Sequence, residues 1–223
     1  MNPKRKAFIT GGSRGIGASI ARELERRGLE IWTPERAELD LSDPASVARF
    51  VESHAANVDV LVNNAGINFL KSIPDLDAAT WDQMQQVNLA APVRLIQWAT
   101  PFMRAQKWGR ILNISSIFSL VTKEKRCAYS MTKAALNALT RSAAVEFGPD
   151  GILVNALCPG YVDTEMTSRN NSPADLEMIK AAIPLRRLAL PEELARVAGF
   201  LCSEENNYIT GQAVVADGGF TCK

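Results

Sequence analysis

A glycine-rich turn between the first apolar strand and the first helix restricts the possible folds more than any other feature of the chain. Lys6–Thr10 is a short apolar run, and residues 11–17 read Gly-Gly-Ser-Arg-Gly-Ile-Gly. Ala18–Arg27 then repeats apolar residues (Ile20, Ala21, Leu24) at helical spacing. Glycines reach positive φ and let the backbone approach a ligand closely. A helix starting directly after such a turn offers free N–H groups and the positive end of its dipole, which together suit a phosphate. Such glycines alone could be no more than a tight turn. The strand–turn–helix context gives them weight.

The rest of the chain continues the alternation. Glu30–Thr33, Val58–Asn63, Arg110–Ser115, Leu153–Leu157 and Ala213–Ala216 read as strands, with a brief further strand at Glu38–Leu41. A helix starts at Pro44 behind the capping residues Ser42 and Asp43. A long helix is expected over Thr80–Gln106, bent or split at Pro92. Cys127–Phe147, Asp175–Ile183 and Glu192–Cys202 complete the helices. Strands alternating with helices predict an α/β fold, a three-layer doubly wound parallel sheet of about seven strands with helices on both faces. At 223 residues without repeats or linkers, one domain (1–223) is the simplest organisation.

With 25 basic and 24 acidic residues there is no field to draw the chain to nucleic acid or an anionic membrane, and neither is expected as a partner. No run approaches the roughly 18 apolar residues of a membrane helix. Four scattered cysteines and a single histidine, His54, point to free thiols, a cytoplasmic location and no metal site.

Tyr129 and Lys133 lie four residues apart, on one face of a predicted helix. A phenol titrates near pH 10, and a neighbouring cation favours its ionised form, so the pair can serve as a general acid/base. In isolation it would be an ordinary surface pair. Here Ser115-Ser116 and Asn63-Asn64-Ala65-Gly66 each end a buried strand, where ligand sites of open α/β sheets lie. Asn88, a poor helix former inside the long helix, can hold a water or a backbone group.

Taken together, Thr10–Gly17, Asp59 with Asn63–Gly66, Asn88, Ser116, Tyr129, Lys133, Pro159-Gly160 with Thr164, and Asp217-Gly218-Gly219 resemble the short-chain dehydrogenase/reductase family over nearly the whole chain. The thirteen-residue step to Tyr129 selects Ser116 over Ser115. Within the family the chain looks most like the 3-oxoacyl-(acyl-carrier-protein) reductase group. The resemblance implies a Rossmann fold and an NAD(P)(H)-dependent oxidoreductase interconverting a carbonyl and a secondary alcohol. It implies catalytic roles for Asn88, Ser116, Tyr129 and Lys133. Tyr129 would protonate the substrate oxygen, which Ser116 hydrogen-bonds. Lys133 would contact the nicotinamide ribose and lower the Tyr129 pKa, and Asn88 would hold a relay water. The cofactor would be bound by Gly11, Ser13, Arg14, Gly15, Ile16, Gly17, Asn64, Ala65, Gly66, Tyr129, Lys133, Pro159, Gly160, Val162 and Thr164, with Asp40 and Leu41 beside the adenine. Family members are often tetramers or dimers, and a homo-oligomer is expected. The ladder Leu136, Leu139, Ala143 and Ala144 would serve either that interface or the core.

Two segments depart from the family pattern. Pro34-Glu-Arg-Ala-Glu38 is unusually short and has no Asp at the end of the second strand, so Arg14 and Arg36 are placed to clamp a phosphate and NADP(H) is favoured over NAD(H). Lys123-Glu-Lys-Arg126 precedes the catalytic tyrosine, where relatives carry small residues. A charge run is ordinarily a solvated face, yet this one borders the substrate position and suggests an anionic substrate: a carrier-linked phosphopantetheine, a nucleotide-sugar or an acidic sugar. Glu165–Leu190 reads as a substrate lid. A sugar dehydrogenase, an NADPH-sensing regulator without turnover, and an epimerase or dehydratase are the alternatives. The full catalytic set argues against the regulator, and the short C-terminal part against the last.

Overall fold

Six parallel strands form one sheet in the computed structural model, which describes residues 4–222. They are β1 (Lys6–Ile9), β2 (Glu30–Trp32), β3 (Val60–Asn63), β4 (Gly109–Ile114), β5 (Ile152–Pro159) and β6 (Ala213–Ala216), in the order β2-β1-β3-β4-β5-β6. The helices are α1 (Gly15–Arg26), α2 (Pro44–Ser53), α3 (Ala78–Gln85), α4 (Ala91–Ala105), α5 (Cys127–Phe147), α6 (Glu165–Arg169), α7 (Pro173–Ala182) and α8 (Pro191–Leu201).

The alternation of side chains along each strand divides the core between the two faces. Phe8, Leu61, Ile111 and Val154 face α2, α4 and α5. Ala7, Ile9, Val60, Val62 and Leu112 face α1 and α8. Both sides of β1, β3 and β4 are therefore apolar, which suits strands covered on both faces. Trp32 and Trp98 pack around Phe8, with ring centroids 4.8 and 5.1 Å away. The ladder on α5 belongs to the core: Leu136, Ala143 and Ala144 are buried, and Leu139 packs against the first of these clusters.

Two expectations are corrected. Glu38–Leu41 is not a strand, so among the described residues the sheet has six strands rather than about seven. Adding a parallel strand requires a crossover of about a dozen residues, and only Thr33–Ala37 separate β2 from this segment. It folds instead around Asp40, whose carboxylate accepts from the Ser42 amide and hydroxyl at 2.9 and 2.6 Å. Asp43 alone caps α2, accepting from the Ala45 amide.

The long helix is also interrupted, one turn ahead of Pro92. Residues Gln86–Ala90 form a π-helical turn between α3 and α4. Pro92 has no N–H, so the Asn88 carbonyl loses its α-helical donor. The ladder widens just before it, with the Ala91 amide bonding Gln86.

Strand order reverses between β1 and β3, which opens a crevice at their carboxyl ends. The glycine turn follows β1 and Asn64–Gly66 follows β3, so both line that crevice.

Candidate active site

The glycine turn is tied to the end of β3. Asn64 Nδ2 donates to the carbonyls of Thr10 and Gly11 at 2.9 and 3.0 Å, and Thr10 Oγ1 accepts from the amides of Asn64 and Ala65. Gly11 and Gly15 take φ of +63° and +55°. At Gly17 a Cβ would lie 2.2 Å from the Gly11 carbonyl oxygen and 2.4 Å from Asn64 Nδ2, so only glycine lets α1 start this close to the turn. Arg14 at the N-cap of α1 provides no side-chain cap, so the first amides of a twelve-residue helix are left for an outside acceptor. Ser13 and Arg14 are exposed, and Ile16 is half-buried against the core. A pyrophosphate fits this cradle.

Pro159–Thr164 closes the cradle from β5. The Gly160 amide donates to Ala216, and a side chain at Gly160 would strike the Asp217 backbone. Val162 pairs with Ala189 in an isolated bridge. Thr164 caps α6 and reaches the turn, its Cγ2 lying 3.5 Å from where a Gly15 Cβ would be. Arg14 and Glu165 form an ion pair across the same gap. Arg36 bonds Asp40 at 3.2 Å and Ser42 at 3.4 Å, and the Leu41 carbonyl accepts from Gln86. Asp59 lies at the other end of the sheet, where it binds the Lys6 amide and Gln106.

Tyr129, Ser116 and Lys133 meet where β4 runs out. Ser116 Oγ accepts from the Phe118 amide, while Ser115 Oγ donates to the Lys133 carbonyl, so the two serines have different tasks. Tyr129 is buried, and burial raises its pKa, opposed by hydrogen bonding to Ser116 and by the Arg126 charge. Lys133 is 3% exposed, its Nζ donates to Ile114 O at 2.7 Å, and burial lowers its pKa to about 8. It lies 5.7 Å from the Tyr129 ring centroid. The Arg126 charge also favours the Tyr129 phenolate.

Asn88, in the π-turn, has its amide fully used. Oδ1 accepts from Ile67 N at 2.9 Å, and Nδ2 donates to Ile67 O at 2.9 Å and Thr132 Oγ1 at 3.1 Å. Gly66 lies between it and Lys133: a Cβ there would sit 3.3 Å from Asn88 Oδ1 and 3.4 Å from Lys133 Nζ.

Sequence reasoning included Thr10 in the family motif without giving it a task, and it missed Thr132 and the burial of Arg126. The first two are ordinary hydroxyl positions whose value depends on contacts far along the chain. The charge run gave no sign that one of its members turns inward.

A family profile described as enoyl-(acyl carrier protein) reductase matches residues 34–221. A 3-oxoacyl-(acyl-carrier-protein) reductase of Aquifex aeolicus is 34% identical, covering 96% of this chain and 96% of its own. The chain belongs to the short-chain dehydrogenase/reductase family of oxidoreductases. A second member, cis-4-hydroxycyclohexanecarboxylate dehydrogenase of Sinomonas cyclohexanicum, is 36% identical over 98% of this chain and 97% of its own. Among solved structures, a gluconate 5-dehydrogenase of Burkholderia cenocepacia in complex with NADP and tartrate superposes with a TM-score of 0.93 at 29% identity, covering 98% and 96% of the two chains.

Proposed function

We propose that the protein interconverts a secondary alcohol and a ketone, with Tyr129 moving the proton. The observation that carries this is the meeting of Tyr129, Ser116 and Lys133 at the end of β4, beside a cradle that only glycine at position 17 keeps open. A nicotinamide cofactor, when bound, supplies or accepts the hydride. In reduction the Tyr129 hydroxyl gives its proton to the substrate oxygen, and in oxidation it takes that proton back. Ser116 Oγ hydrogen-bonds the same oxygen and holds it in place.

Gly11–Gly17, Asn64–Gly66, Pro159-Gly160, Val162 and Thr164 hold the cofactor in this reading, and Lys133 holds its ribose. Asn88 acts through its backbone. Its side chain is spent on Ile67 and Thr132, whereas its carbonyl lacks an α-helical donor because residue 92 is proline. A water on that carbonyl would connect Lys133 to solvent. NADP(H) is the preferred cofactor. The end of β2 carries Thr33 and no acid, and Arg14 and Arg36 are exposed guanidiniums whose carboxylate partners a 2′-phosphate can replace. Glu165–Leu190 is the lid: Ile179 and Ile183 pack in one cluster with Phe118 and Tyr129. Residues 1–223 act as one dinucleotide-binding and catalytic domain.

Relatives named for an acyl-carrier substrate and for hydroxy acids leave both substrate types open at the level of the family. The test is NADPH consumption by the purified protein against β-ketothioesters, keto-sugars and oxo acids. Turnover of at least one ketone is expected. Failure with all of them, together with stoichiometric cofactor retained through purification, would favour an epimerase or dehydratase instead.

A further inference from the structure

The proton chemistry does not explain why Arg126 is buried. It is 3% exposed, while Lys123, Glu124 and Lys125 beside it are solvated. Lys125 takes φ of +61°, a left-handed conformation that a lysine seldom adopts, and the next residue is the buried N-cap of α5. The Arg126 guanidinium lies 5.2 Å over the Phe118 ring. Phe118 in turn meets Tyr129 and Tyr161 edge-on, at 6.3 and 6.1 Å.

Among the described residues this arginine has no counter-ion. Its Nε is wholly buried without a hydrogen-bond partner among the described residues, and the groups that act on its charge are the phenols of Tyr161 and Tyr129, not a carboxylate. An arginine keeps its charge when buried, and an uncompensated buried charge is strongly unfavourable. The ring of Phe118 offsets part of that penalty but accepts none of the in-plane donors. An arginine serving only packing would have its donors filled. A cation stored without a partner beside a reactive phenol is matched to a charge that arrives with the ligand.

We propose that Arg126 is the anion-binding residue of the substrate site, and that the substrate is a compact hydroxy or oxo acid whose carboxylate pairs with it while the reacting carbon faces Tyr129. This rests on the reading of Tyr129 given above. One planar guanidinium neutralises one carboxylate in a two-point contact. A phosphate would bring a second charge, and Lys123, another cation of the run, is solvated and turned to Tyr161 and Asp175. Arg126 caps the turn that carries Tyr129, and both side chains meet the Phe118 ring, at 5.2 and 6.3 Å. That proximity suits an acid group a few bonds from the reacting carbon, not a phosphate at the end of a carrier arm.

The test is equilibrium binding to the NADP⁺-loaded protein by calorimetry, which needs no turnover. The probes are tartrate, gluconate and cyclohexanecarboxylate, each paired with its neutral amide. At least one acid should bind about 30-fold or more tighter than its amide. Arg126→Met should erase that preference and Arg126→Lys should restore part of it. Three acids that bind no better than their amides, or a preference that survives in Arg126→Met, would overturn the assignment. Should Arg126→Met not fold, the acid-to-amide ratio of the wild-type protein and the Arg126→Lys variant decides the matter. If acids bind as expected but no ketone is reduced, the oxidoreductase reading fails and the anion site stands.

Discussion

The Lys133 ammonium donates to the Ile114 carbonyl oxygen at 2.7 Å, linking α5 to the last residue of β4. Burial lowers its pKa from 10.5 to about 8, so the folded protein releases this proton before the unfolded chain does. Between those values the unfolded state holds one more proton, and stability rises with pH. The penalty of the buried charge is complete below pH 8 and is relieved as pH climbs to 10.5. The stability of Lys133→Met relative to wild type should therefore fall by up to about 3 kcal/mol across that window. Urea denaturation of both proteins at several pH values measures this. A difference that stays constant would show that Lys133 is not desolvated as described.

Asn88 grips both backbone groups of Ile67 and also Thr132. Asn88→Ala leaves those groups unsatisfied, which costs about 1–3 kcal/mol for each one that stays buried. The midpoint of thermal unfolding should fall. Unchanged stability would mean that the loop after β3 does not depend on this clamp.

At Gly17 an added methyl has nowhere to go, since the Gly11 carbonyl and the Asn64 amide occupy its place, bonded to each other, and the amide is also bonded to the Thr10 carbonyl. Gly17→Ala should weaken cofactor binding and destabilise the fold by about 1–3 kcal/mol, as overpacking does. Titration with NADPH and a denaturation curve check the two effects. Tight binding by the variant would place the pyrophosphate elsewhere.

Arg14 and Arg36 now pair with Glu165 and Asp40. If they turn to a 2′-phosphate, the double substitution Arg14→Ala/Arg36→Ala should raise KM for NADPH by about tenfold or more, since hydrogen bonds to charged groups contribute about 1.5–3 kcal/mol each. KM for NADH should change little. Equal changes for the two cofactors would remove the basis for the NADP(H) preference.

Much of this was legible in the sequence, for reasons that differ between elements. The bounds of α5 and β6 follow directly from pattern and punctuation. The glycine turn and the Tyr129–Lys133 pair are local, so spacing alone exposes them. The strand expected at Glu38–Leu41 failed because local apolar character says nothing about whether a crossover exists to deliver it to the sheet. Pro92 marked the break in the long helix, but the break falls upstream, around Asn88, whose carbonyl the proline leaves without its donor. The partner of Lys133 is a main-chain carbonyl nineteen residues away, and the inward turn of Arg126 follows from the backbone at Lys125. Neither has a one-dimensional signal.

Tyr129→Phe separates proton transfer from everything else the site does. Phenylalanine keeps the ring that packs against Phe118 and removes only the hydroxyl. For whichever ketone the wild-type protein reduces, kcat should fall by about 10²-fold or more, the usual contribution of a general acid. NADPH affinity, followed by its fluorescence, should change far less than kcat. A variant that binds NADPH normally and keeps roughly a tenth or more of wild-type kcat would show that the proton comes from elsewhere.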